Sequence, residues 1–170
     1  MRYLAYLIVY LVLQLLTYLI TPLLACCWEV RKGWVDNRDH EEEGPRLWKW
    51  LSWFDTPDNS LDGDPAFLNR YLIYPRYLRH LSWLYRNSLY GFKWSVLAVP
   101  PGRVFRVGPD NLDYHTGTYG STHLWNEAGA WQYKSVRPFL GRVLILNFGW
   151  LLEDASQTKA LFMFSPRLKG

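Results

Sequence analysis

Four aspartates, an asparagine and a serine crowd into WFDTPDNSLDGD, residues 53–64. Carboxylates at that density could bind calcium or supply an acid–base pair. Counted as an EF-hand loop from Asp58, the stretch offers Asp58, Ser60, Asp62 and Gly63 in suitable places. Position 12, which needs a bidentate carboxylate, falls on Asn69, and Pro57 spoils the entering helix. No nucleophile, histidine or phosphate-binding glycine loop stands beside these aspartates. Asx side chains favour turns by bonding nearby amides. Asp64 before Pro65 reads as a helix cap followed by proline at the first helical position. Asp58, Asp62 and Asp64 therefore stand as weak metal candidates within a capping turn.

A second cluster is DYHTGTYGSTHLWNE, residues 113–127, with Asp113, His115, His123 and Glu127. These are zinc-ligand types, but no HExxH pattern is present and the histidines lie eight apart in Gly/Thr-rich sequence. A polar hairpin or surface loop explains the stretch better, leaving His115 and His123 as further weak metal candidates. GxSxG, P-loop and CxxC patterns are absent. No catalytic residue is assigned, no cofactor is expected, and a non-enzyme is favoured.

The elements that would position these residues begin with an apolar N-terminus. From Tyr3 to Trp28 the chain carries no charge. A helix from Tyr3 to Leu24 would be roughly 33 Å long, enough to cross a bilayer core of about 30 Å. Residues 1–28 are read as a transmembrane anchor. A cleavable signal would have a shorter apolar core, and Leu23-Leu24-Ala25-Cys26 only loosely resembles a lipoprotein signal. Arg2 precedes the span, while Arg31, Lys32, Arg38, Arg46 and Lys49 follow it, favouring a cytoplasmic C-terminal domain. Cys26 and Cys27, the only cysteines, are adjacent and cannot build a disulfide framework.

Residues 29–46 are polar and read as a linker, ending at Gly44-Pro45. Residues 47–170 are expected to form one α+β domain. Its helical part, 47–93, has a Trp-rich start and a break at Pro75, with Gly91 as a stop signal. Apolar residues at 77, 78, 81, 84, 85 and 89 follow a helical period, with Arg79, His80, Ser82, Arg86 and Asn87 on much of the other face. From residue 94, WSVLAV, RVFRV, WQYKSV, RVLILNFGW and ALFMF read as strands of a small antiparallel sheet. RVLILNFGWLL is too short for a second membrane helix.

Ten Trp and twelve Tyr raise aromatics to 18% of the chain. Such side chains suit membrane–water boundaries and partner interfaces. The interface candidates are Trp28, Trp34, Trp48, Trp50, Trp53, Tyr77, Trp83 and Arg86. The net charge is +4, but its cations are dispersed, so nucleic acid is not an expected partner. The lipid bilayer is.

WFDTPDNSLDGD (53–64) and WLYRNSLYGF (83–92), following a hydrophobic N-terminus, resemble a family of uncharacterised tailed-bacteriophage and prophage proteins. The resemblance covers about a quarter of the chain and brings no assigned activity or site residues. It implies a viral product in a bacterial host. The expectation is a membrane-anchored, non-catalytic protein of the inner membrane, single-pass, acting on phage or host envelope proteins. A virion structural or genome-delivery component is the alternative, and a metal-dependent hydrolase the third.

Overall fold

The computed structural model describes residues 2–34, 41–57, 61, 64–153 and 159–170. The fold is α+β, and the chain divides into two compact units, Met1–Val96 and Leu97–Gly170. The division replaces the expected single domain over residues 47–170: the N-terminal helix is part of the first unit, not an appendage to it.

The first unit opens with α1, Arg2–Leu24, which contains Pro22. Residues 29–46, expected as a linker, instead contribute to two antiparallel strands, β1 (Trp28–Trp34) and β2 (Glu41–Leu47). Their register pairs Trp28 with Leu47, Val30 with Pro45 and Lys32 with Glu43. Apolar alternation is interrupted in these strands, and arginines help to fix them beside buried Leu47. Arg46 is fully buried and donates to the Thr56 carbonyl at 3.0 Å. Arg31 donates to the Leu47 carbonyl and to Asp55 Oδ2, both at 3.0 Å. A buried Arg needs such partners to offset its lost hydration. Pro45 is tolerated because a two-stranded ribbon has only edges.

A 3-10 helix, Lys49–Phe54, follows, then α2 (Pro65–Tyr71) and α3 (Arg76–Arg86). Pro75 is the N-cap residue of α3, so proline separates the two helices at the expected break. Gly91 does not end this helix. α3 stops at Arg86, and Leu89 turns left-handed (φ 57°) before the short turn α4, Tyr90–Phe92. Gly91 has another duty: a Cβ there would lie 1.9 Å from the Ser52 carbonyl oxygen, so only glycine lets these backbones meet.

Among the described residues, two clusters contribute to the core of this unit. Leu24, Ala25, Leu47, Leu51 and Leu84 form one; Leu61, Phe67 and Trp83 form the other. Trp28 packs against both.

The second unit is a six-stranded antiparallel sheet of β3 (Val104–Val107), β4 (Gly120–Asn126), β5 (Trp131–Phe139), β6 (Arg142–Trp150), β7 (Phe162–Phe164) and β8 (Arg167–Lys169). β3 to β7 follow in sequence order, and β8 also pairs with β6. WSVLAV is not the expected strand. Lys93–Leu97 winds as a π-type turn, and only Val99 bridges, to Ala160. The turn buries Leu97, whose carbonyl accepts the Trp150 indole N–H at 2.8 Å. β4 lies inside the stretch expected as a polar hairpin or surface loop. Thr122, Leu124 and Asn126 face inward there, a period of two hidden by two polar members. Asn126 secures the Pro-Pro segment by donating to the Pro100 and Pro101 carbonyls at 3.1 and 2.7 Å.

Candidate membrane interface

Apart from Tyr18, which packs on Tyr85, the large exposed apolar residues of α1 lie away from its buried side. Gln14, Thr17, Thr21 and Leu24 are buried, and their spacing of three, four and three places them on one helix face. Leu4, Ile8, Val12, Leu15, Leu19 and Leu23 are exposed along the helix. The usual distribution is therefore inverted, with polar groups inside and hydrocarbon outside.

The buried side is held by α3 and the turn after it. Gln14 Nε2 donates to Ser88 Oγ at 2.5 Å. Thr17 and Thr21 satisfy their hydroxyls within the helix, donating to the Leu13 and Thr17 carbonyls at 2.7 and 2.6 Å. Pro22 has no N–H, so the Tyr18 carbonyl loses its helical donor. The Tyr85 hydroxyl approaches that oxygen at 3.4 Å, and the Tyr77 hydroxyl donates to the Pro22 carbonyl at 3.1 Å. Two tyrosines eight residues apart on α3 thus serve carbonyls near the end of α1. The polar residues of α1 were visible in the sequence, and their spacing was the available signal.

The sequence-derived interface residues divide. Trp50 and Trp53 are exposed on the 3-10 helix and Trp48 at its N-cap, Trp50 to 75%. Tyr77 is exposed beside the end of α1. Trp28 is half-buried and stacks on His80, ring centres 3.9 Å apart. Trp83 is 2% exposed and meets Phe67 edge-on at 5.1 Å, so it belongs to the core and leaves the interface set. The helical period placed it on α3, but the packing of α2 over that face was not visible in the sequence. Arg86 lies over the Phe67 and Trp83 rings and donates to Asp64 Oδ2 at 2.6 Å. The backbone of Trp34 belongs to β1, and its side chain lies outside the described residues.

Sequence reasoning missed the exposed corner between α2 and α3, where Leu72, Ile73 and Tyr74 stand out, Ile73 to 87%. It also missed a row across the second unit's sheet. Val107, His123, Tyr133, Phe148 and Phe164 are successive cross-strand partners from β3 to β7.

The polar candidates are occupied otherwise or lie outside what is described. Asp58 and Asp62 fall outside the described residues. Asp64 Oδ1 accepts the Phe67 amide at 2.9 Å, with Pro65 opening α2. Despite the desolvation that raises it, the Phe67 amide and Arg86 hold this carboxyl below its usual range. His115 sits in a turn closed by the Asp113–Thr118 bridge, whereas His123 lies on β4 against Tyr133. Among the described residues, no group of three His, Cys, Asp or Glu side chains converges as a metal site. Asp55 is buried, bonded to the Thr56 amide and paired with Arg31. Burial raises its carboxyl to about 6, although the Thr56 amide, Arg46 and Arg31 pull the other way. Burial, then the Arg76 charge, lowers His80 to about 4, while a hydrogen bond to the Ala25 backbone opposes the shift.

α1 is long and apolar enough to cross a membrane. Its burial is one-sided, with tyrosine contacts from α3 on the buried side and exposed aromatics elsewhere in the first unit. No curated protein and no solved structure matches the chain. A family model does, over residues 1–168, and the chain belongs to that family, the family of unknown function DUF7338.

Proposed function

We propose that this is a membrane-bound, non-catalytic protein of a tailed bacteriophage, acting by interaction at the host inner membrane. The observation that carries the membrane reading is the inverted α1, apolar where exposed and polar where buried. An apolar surface of that length is costly in water and is satisfied by lipid. The phage origin draws its support from WFDTPDNSLDGD and WLYRNSLYGF. Arg31, Lys32 and Lys49 favour a cytoplasmic position for the folded part; buried Arg46 adds little to that bias.

Fractionation of infected cells tests this reading. The protein is expected in the inner membrane, resistant to a carbonate wash, and missing from purified phage particles. Recovery in the soluble fraction would sink the proposal. Recovery in the particles would replace it with the virion reading.

A further inference from the structure

We infer that α1 lies in the plane of the membrane, with its exposed apolar stripe sunk into one leaflet, and does not span the bilayer. This rests on the membrane-bound reading above and concerns how the same surface meets lipid. The argument is one of depth. A span of about 30 Å uses nearly all of a 23-residue helix, which leaves little freedom to slide along the bilayer normal. Its midpoint would fall near residue 13.

The contacts fix the neighbouring segment against this scale. Tyr77 meets Pro22, Tyr85 meets Tyr18, Ser88 meets Gln14, and Lys93 lies over the Tyr10 ring. The chain from α3 to Lys93 therefore runs antiparallel beside α1 for more than half its length. In a spanning arrangement, Arg86 would sit between the levels of Gln14 and Tyr18, within about 8 Å of the midplane at 1.5 Å per residue. Lys93 would sit about 5 Å beyond it on the other side.

Arg86 cannot reach the headgroups without leaving its partners. Its guanidinium is held on Asp64 and over two aromatic rings, yet its side chain is half exposed. An exposed ion pair at that depth would face hydrocarbon, where charges are strongly disfavoured. Laid flat, the helix meets lipid only through Ile8, Val12, Leu15, Leu19 and their neighbours, while Arg86 and Asp64 remain in water. The ends also suit an interfacial helix. Arg2 lies over Tyr6 at one end, and Arg76, Tyr77 and Trp28 border an open cleft at the other.

Protease protection of the full chain, tagged at both ends and expressed in the host, decides the matter. In-plane binding predicts that both tags survive protease added to spheroplasts and that both are cut in inverted vesicles. If the tags lie on opposite sides, α1 spans and the inference is overturned while membrane binding stands. If the tagged chain is recovered as a soluble species, including a pair of copies covering the stripe, the membrane reading fails and the inference fails with it.

Discussion

Asp55 and His80 are both buried in the first unit, and their protonation opposes each other there. The His80 imidazole is lowered from 6.5 to about 4, so its contribution is complete above pH 6.5 and is lost as pH falls through 4. The Asp55 carboxyl is raised from 3.8 to about 6, so its contribution is complete below 3.8 and is lost as pH rises through 6. Between pH 4 and 6 the two effects oppose and partly cancel. Substituting either one should reveal the other. Melting temperature measured from pH 4 to 6.5 is expected to fall with rising pH in His80→Gln and with falling pH in Asp55→Asn. Slopes of the same sign would show that one of these groups is not buried as described. Both groups are visible in the sequence but their burial is not, because Arg31 and Arg46 reach Asp55 only in the folded chain.

At the scale of elements, the Asp64–Pro65 start of α2 and the break at Pro75 could be read directly, since caps and prolines act over a few residues. The strands rich in β-branched and aromatic residues, RVFRV, WQYKSV and RVLILNFGW, were equally legible. β4 and the β1–β2 ribbon were not: in one, Thr and Asn occupy inward positions, and in the other an arginine does. The end of α3 was also misplaced, because Gly91 serves a close contact with Ser52 and the left-handed residue is Leu89. The cap itself can be tested. Asp64→Ala removes the acceptor of the Phe67 amide and the partner of Arg86. A loss of about 1 kcal/mol is expected from the cap. The exposed ion pair adds less than about 1 kcal/mol. Denaturant titration in lipid nanodiscs would measure the loss, and an unchanged midpoint would refute the capping role.

The whole molecule divides close to a change of texture in the sequence. Composition changes near Trp94 from helical to strand texture, yet nothing there marks a linker. The contacts nonetheless separate Met1–Val96 from Leu97–Gly170. The second unit closes its own polar accounts. Gln132 donates to Asn147 at 3.0 Å and accepts the Leu152 amide at 2.8 Å, and Trp150 is anchored on Leu97. Residues 97–170 expressed alone are therefore expected to fold, with dispersed amide resonances and a cooperative melt. A collapsed spectrum would show that this sheet depends on the first unit. The matching fragment without α1 should fare worse, because Leu24 belongs to the core that includes Ala25, Leu47, Leu51 and Leu84.

The bond from Gln14 to Ser88 joins residues 74 positions apart. A ribosome adding about 5–20 residues per second needs roughly 4–15 s to cover that distance. Throughout that interval α1 has emerged without α3, and to the targeting machinery it is an apolar helix like any other. Membrane delivery is thus open to the nascent chain before Tyr77, Tyr85 and Ser88 exist to claim the polar side of α1. The speed of translation therefore sets how long the polar side of α1 waits for the partners that cover it.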